Sequence, residues 1–281
     1  MSANRFAVIG DPIEHSLSPA MHNAALAAAG ISGTYESIRV SPRDLAGCVE
    51  QLRRDRYCGF NVTIPHKEAV VAHLDWVSRP ASLLAAVNTV VSRAGQLRGY
   101  NTDVLGFRSA LRALGLPPVI GHAVVFGTGG SARAITYALD RMGAEVSVVS
   151  RDRVRAEVLA EKLRLGRAIA SGDLAPLGAA VARAQLLVNA TPLGMRHLPD
   201  LSPLPDTIEI PSHAAAFDLV YGRGITPFLR RAMDRGCKVM DGLEMLVQQG
   251  SAAFRLWTGI LPDANVMRRA CARRLQEIGS C

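Results

Sequence analysis

Val124-Val125-Phe126-Gly127-Thr128-Gly129-Gly130-Ser131-Ala132-Arg133 decides how this chain folds. Strand-forming apolar residues run into a glycine turn and out into small helix formers, with Gly127, Gly129 and Ala132 at the marked positions of a dinucleotide fingerprint. The first glycine makes the tight turn, the second lets backbone approach a pyrophosphate, and the small third residue lets helix and strand pack closely. The pyrophosphate would meet the unpaired N–H groups and positive dipole end of the helix.

The next strand, Glu145 to Ser150, ends about 20 residues beyond the loop, where the adenine ribose of such a cofactor lies. An NAD site offers that ribose a carboxylate. Here the strand ends in neutral Ser150, followed by Arg151, Arg153 and Arg155, and guanidinium groups suit a 2′-phosphate. Asp152 stands among them and speaks for NAD. NADP is the expected cofactor; solvated residues at the start of a helix are the plainer alternative for this stretch.

Outward from the loop, strands are read at Ala123 to Phe126, Glu145 to Ser150, Leu186 to Asn189, Ala216 to Leu219 and Lys238 to Met240, separated by helices, a doubly wound pattern. Upstream, Phe6 to Ile9, a helix from Pro19 to Ala29, Thr34 to Val40, a helix from Pro42 to Arg54 and Gly59 to Thr63 also alternate, which means a mostly parallel sheet. A helix from His66, a hairpin over Thr89 to Ser92 and Gln96 to Gly99, and a helix from Val104 to Leu114 complete that half. Leu116-Pro117-Pro118 ends it. Helices at Met245 to Thr258 and Val266 to Ile278 follow the last strand and are expected to fold back on the first domain. The fold class is therefore α/β: residues 1–103 with 241–281 form a substrate domain, and residues 104–240 a Rossmann-like dinucleotide-binding domain.

The composition agrees with a packed globular chain: 281 residues, 49% hydrophobic and 20% charged, enough apolar surface for two cores. A net charge of +8 is spread along the chain, and aromatic residues are only 5%, so a nucleic-acid surface with stacking platforms is not expected and small anions are. The five cysteines, Cys48, Cys58, Cys237, Cys271 and Cys281, include no C-x-x-C pair; reduced thiols and no metal are expected. Without an export leader or an eighteen-residue apolar run, a cytoplasmic chain that binds no membrane is expected, working as a monomer or a homodimer.

Polar motifs crowd the first domain at strand ends: His15-Ser16-Leu17-Ser18-Pro19, Asn61-Val62-Thr63-Ile64-Pro65-His66-Lys67, Val87-Asn88-Thr89 and Tyr100-Asn101-Thr102-Asp103. Singly, each has a local explanation; Ser18 before Pro19 reads as a helix N-cap, and Asn101 to Asp103 as another. Lys67 is different, because in the first turn of a helix the macrodipole disfavours a cation.

Together with Asn189-Ala190-Thr191-Pro192-Leu193-Gly194-Met195, Asp218-Leu219-Val220-Tyr221, Thr226-Pro227-Phe228-Leu229 and Asp241-Gly242-Leu243-Glu244-Met245-Leu246-Val247-Gln248-Gln249, these motifs closely resemble the shikimate dehydrogenase family, nearly end to end. The resemblance implies NADPH-dependent reduction of 3-dehydroshikimate to shikimate, toward chorismate and the aromatic amino acids. It implies that Ser16 and Ser18 bind the substrate carboxylate, that Thr63, Asn88, Tyr221 and Gln249 hold the carboxylate or ring hydroxyls, and that Lys67 and Asp103 are the catalytic pair. For the cofactor it implies Gly127, Thr128, Gly129, Gly130, Ser131 and Ala132 at the pyrophosphate, Ser150, Arg151 and Arg155 at the adenosine phosphate, and Leu219 and Gly242 near the nicotinamide. Where many relatives read Asn-Arg-Thr, this chain reads Ser150-Arg151-Asp152.

A carbonyl reduced by hydride needs an acid at its oxygen as the alkoxide grows. Burial of Lys67 favours the neutral amine and a carboxylate neighbour favours the ammonium, so the pair is expected to titrate as one unit. Two other functions are compatible with parts of the sequence. Asp152 suits an NAD-preferring quinate/shikimate dehydrogenase, and a non-catalytic sensor of NADP(H) or a metabolite would share the fold but lack the acid/base pair.

Overall fold

The computed structural model describes residues 4–163, 167–222 and 224–279; the thiol of Cys281 and the outer ends of the expected substrate domain lie outside them. The chain divides into two compact units, Met1–Gly106 with Leu246–Cys281, and Phe107–Met245. Among the described residues the strands form two six-stranded sheets, one in each unit. Among the same residues, no helix is long and apolar enough to cross a membrane.

The first unit runs β1 (Asn4–Gly10), α1 (Ser18–Ala28), β2 (Gly33–Arg39), α2 (Leu45–Arg54), β3 (Gly59–Val62), a short 3-10 helix (Ala69–His73), β4 (Trp76–Val77), α3 (Arg79–Leu84), β5 (Thr89–Arg93) and β6 (Gln96–Tyr100). Its sheet order is β2-β1-β3-β5-β6-β4. β1 pairs in parallel with β2 and β3, and β4 with β6, whereas β5 is antiparallel to both β3 and β6.

That reversal positions the polar motifs. Because β5 runs backwards, its first residue Thr89 sits opposite Asn61 of β3 and Tyr100 at the end of β6. The segments leaving β3, entering β5 and leaving β6 therefore converge at one end of the sheet.

The stretch from His66 is a series of turns leading into the five-residue 3-10 helix Ala69–His73, not the expected α-helix. Within that helix only Val70 is buried, so it has no apolar stripe for packing to stabilise further turns. Lys67 thus precedes the helix and is not a cation in its first turn.

The second unit opens within α4 (Asp103–Ala113) and continues as β7 (His122–Phe126), α5 (Gly130–Asp140), β8 (Glu145–Ser150), α6 (Arg153–Lys162), β9 (Arg167–Ala170), α7 (Leu174–Ala182), β10 (Leu186–Asn189), β11 (Ala215–Asp218), α8 (Pro227–Asp234) and β12 (Lys238–Met240). Its strands are all parallel, in the order β12-β11-β10-β7-β8-β9. β7 and β10 are buried at every position, as parallel strands covered on both faces must be. The order reverses between β7 and β10, the switch point where doubly wound sheets bind ligands. Phe126 packs edge-on against Phe228 in the core below.

α9 (Leu243–Thr258) and α10 (Ala264–Gly279) close the chain. α9 docks on the first unit's sheet by its Trp257, whose indole donates to Val90 O at 2.9 Å and fills the space that a side chain on Gly59 would need. Gln249, Ala253 and Trp257 share one helical face at intervals of four, so that dock also brings Gln249 to the convergent strand ends.

Candidate active site

Lys67 follows β3 through the turn after Thr63, and Val87 N–H anchors that turn by donating to the Lys67 carbonyl at 2.8 Å. Its ammonium donates to Asp103 Oδ2 at 2.6 Å, with the two side chains 12% and 5% exposed. Asp103 begins α4, and its own N–H is held by Asn101 Oδ1 at 3.1 Å, the capping role the sequence suggested.

Asn88 joins this pair to the rest. Its Nδ2 lies within hydrogen-bonding distance of Asp103 Oδ1 at 2.7 Å, Thr102 Oγ1 at 3.0 Å and Gln249 Oε1 at 3.2 Å, while its Oδ1 accepts from Thr102 N–H at 2.7 Å. A buried network of this kind rigidifies only when its members are satisfied. Here each has a partner, so the Lys67 ammonium is fixed in place and not merely enclosed.

Thr63 leaves β3 half-buried with its methyl against Gly10, where a larger residue would collide with it. Ser18 is not the N-cap: it is the first residue of α1, and Ser16 Oγ accepts its N–H at 3.2 Å. Leu17 holds the N-cap position, so Ser16 Oγ reaches the helix N-terminus from one residue further out, and the Ser18 hydroxyl pairs with the Tyr35 phenol. Tyr221 is half-buried in the turn after β11, in the second unit.

Four residues outside the expected set belong to the network: Thr102 and Thr89 beside Asn88, and Asn61 and Tyr35 behind them. Asn61, inside β3, donates to Asn88 O and Thr89 Oγ1 at 3.0 Å each and accepts from the Tyr35 phenol at 2.8 Å. Burial raises Tyr35 well above the usual phenol value, so it is a lasting donor. An asparagine at a wholly buried strand position was the available signal.

The glycine loop carries the second site. Gly127 has φ +115° and lies against the Ala190 carbonyl across the switch point, so a side chain there is excluded on both counts. Gly129 caps α5, and space for a side chain on it is open. That open face lies at the helix N-terminus, with Ala132 fully buried behind it. Thr128 is buried, its carbonyl accepting from Arg133 Nε at 3.3 Å, and Gly130 and Ser131 form the first turn. Such a turn fits a pyrophosphate.

At the end of β8, Ser150 Oγ accepts from Asp152 N–H at 3.2 Å, and the Asp152 carboxylate accepts from Arg155 N–H at 3.2 Å. Asp152 is the N-cap of α6. Arg153 is engaged by Glu157 at 2.8 Å, whereas Arg151 and Arg155 are exposed and make no ion pair among the described residues. Two free guanidinium groups beside a carboxylate turned onto its own helix fit a 2′-phosphate better than a bare ribose. Leu219 and Gly242 touch: Gly242 is pressed onto the Leu219 carbonyl with no room for a Cβ.

Residues 8–90 match the family model described as shikimate dehydrogenase substrate binding domain, and residues 242–271 match the shikimate 5'-dehydrogenase C-terminal domain. A shikimate dehydrogenase (NADP(+)) of Thermus thermophilus is 48% identical over 271 residues, spanning 96% of this chain and 98% of that one. The solved structure of shikimate 5-dehydrogenase from a second strain of Thermus thermophilus, in complex with NADP(H) and shikimate, superposes with TM-score 0.88 at 46% identity, covering 96% of this chain and 99% of that one. Quinate dehydrogenase from Corynebacterium glutamicum in complex with NAD superposes with TM-score 0.86 at 32% identity, covering 96% and 99%.

Proposed function

The chain belongs to the shikimate dehydrogenase family, and from that premise we propose how its residues serve the reaction, the NADP-dependent reversible reduction of 3-dehydroshikimate to shikimate on the route to chorismate and the aromatic amino acids. Residues 1–103 with 241–281 bind the hydroxylated acid, and residues 104–240 bind NADP. The carrying observation is the buried contact of Lys67 with Asp103, tied to Asn88 and through it to Gln249.

Ser16 and Ser18, at the N-terminus of α1, bind the substrate carboxylate. Thr63, Asn88, Tyr221 and Gln249 hold carboxylate or ring hydroxyls. Bound NADPH supplies the hydride that reduces the carbonyl carbon. Lys67 donates a proton to the carbonyl oxygen as it becomes an alkoxide, and in the reverse direction takes the proton from the hydroxyl. Asp103 holds the amine at that oxygen; held from the other side by Asn88, it cannot swing away with its partner.

Gly127 through Ala132 cradle the pyrophosphate, and Ser150, Arg151 and Arg155 hold the adenosine phosphate. The engagement of Asp152 Oδ1 as the N-cap of α6 favours NADP over NAD at this end. The protein works in the cytoplasm, in keeping with the free thiols of Cys48, Cys58, Cys237 and Cys271.

Absorbance at the reduced nicotinamide band tests the reading directly, with shikimate and NADP set against quinate and NAD. The expected result is the larger kcat/KM for shikimate with NADP. A larger value for quinate with NAD would replace this reading with a catabolic quinate dehydrogenase.

A further inference from the structure

β11 ends on Asp218, a carboxylate wholly buried inside the dinucleotide-binding unit. Its Oδ1 accepts from Asn189 Nδ2 at 2.9 Å and Val220 N–H at 3.0 Å, and its Oδ2 from the Thr226 hydroxyl at 2.7 Å. The three donors belong to three different segments.

Asn189 ends β10 and shapes the turn beyond it, accepting from the Thr191 N–H at 3.0 Å and hydroxyl at 2.6 Å and donating to Leu193 O at 3.0 Å. Val220 leads to Tyr221 and accepts from Gly242 N–H at 3.3 Å. Thr226 caps α8 by accepting from Leu229 N–H at 3.3 Å. One acceptor-only group therefore ties the exits of β10 and β11 to the start of α8. An ionised carboxylate is the side chain that accepts from three donors at once; an amide must turn an N–H₂ toward one of them.

The arrangement costs free energy. Burial, helped by the nearby Asp241 carboxylate, pushes Asp218 up to about 6 against the three hydrogen bonds that pull it down. A carboxylate taken out of water with no opposite charge beside it is costly to bury, and the three donors offset that cost only while all of them are aimed at it. What the carboxylate does hold is geometry: Leu219, its neighbour, has its N–H on Asn189 O at 2.9 Å and its carbonyl against Gly242.

We propose that Asp218 is a positioning residue for the nicotinamide end of the cofactor, acting without contact by fixing the turns that present Leu219 and Gly242. The proposal rests on the reading above that puts those two residues at the nicotinamide. It separates the cofactor's two ends, because Arg151 and Arg155, beyond the end of β8, make no hydrogen bond to Asp218 or to the three groups that donate to it.

The test measures binding of NADPH and of 2′,5′-ADP, which lacks the nicotinamide half, to the full-length protein by calorimetry. In Asp218→Asn, NADPH binding is expected to weaken about tenfold or more, the scale of a lost hydrogen bond to a charged group, while 2′,5′-ADP stays within about twofold. Thr226→Val should show the same split more weakly, and decides the matter if Asp218→Asn does not fold. Variants that lose both ligands equally, or neither, overturn the proposal by leaving Asp218 a purely structural group. A wild-type protein that binds 2′,5′-ADP as tightly as NADPH removes instead the placement of Leu219 and Gly242, and the proposal with it.

Discussion

Lys67 and Asp103 are joined by a 2.6 Å hydrogen-bonded ion pair at the convergent strand ends, and the oxygen of Asp103 that Lys67 does not use is held by Asn88 at 2.7 Å. The ammonium is thus held by a group that is itself held. Lys67→Ala should lower kcat by about 10²-fold or more, the usual loss for a missing general acid. Shikimate should still bind, since Ser16, Ser18, Thr63 and Asn88 remain; calorimetry on the same variant checks this. A variant that turns over at the wild-type rate would take Lys67 out of the chemistry.

The cofactor's phosphate end gives a second pair of variants. Arg151→Ala should reduce kcat/KM with NADP by about 10- to 100-fold, the range of one charge-assisted hydrogen bond, and leave the value with NAD within a few-fold. Asp152→Thr keeps a side-chain oxygen for the Arg155 N–H and so keeps the cap. Its NADP kinetics should stay the same or improve, with no effect on NAD. A tenfold loss of NAD activity in Asp152→Thr would mean that the carboxylate reads the ribose after all.

Much of this was legible in the chain itself, and the limits have physical causes. The Gly127 loop and the unbroken apolar runs of β7 and β10 announce a parallel sheet covered on both faces, because such strands have no polar side to hide the pattern. β9 carries no legible signal: of Arg167–Ala170 only Ile169 is buried, and an edge strand with one buried residue has no period to read. β4 is two residues paired to Arg98 and Gly99, and α3 is six residues, both too short for a pattern. In the site, the motifs of Lys67, Asn88 and Asp103 stood out by type. The link from Tyr35 through Asn61 did not, since it depends on a register that seats β3 between β1 and β5.

The two loop glycines should separate stability from binding. Gly127 combines φ +115° with the Ala190 carbonyl 2.9 Å from where a Cβ would lie, so Gly127→Ala forces backbone to move and should lower Tm markedly, cofactor or none. Gly129 has φ −74° and nothing within 4 Å of the same position. Gly129→Ala should therefore melt within a few degrees of the wild type yet raise KM for NADP about tenfold or more, because its methyl enters the space a pyrophosphate needs. Equal losses of Tm in both variants would show that the second glycine serves the fold rather than the ligand.

His22 supplies the chain's clearest dependence of stability on pH. It stacks on Tyr35 with centroids 4.4 Å apart and 12° between planes, and neither ring nitrogen has a hydrogen-bond partner among the described residues. Burial pushes its pKa down to about 3 from the ordinary 6.5. The folded protein thus refuses a proton that the unfolded chain accepts, so this group's contribution is complete above pH 6.5 and is lost as pH falls from there toward 3. Between those limits the slope is up to about 1.4 kcal/mol per pH unit. His22→Leu removes the titrating group while keeping the site apolar; whatever it costs in packing, that cost is the same at every pH. Urea unfolding at pH 7.5, 6 and 5 should therefore show a shallower acid loss in His22→Leu than in the wild type, by about that slope. Parallel curves for the two proteins would mean that the buried imidazole takes up its proton in the folded state, with a water or a shifted side chain to receive it.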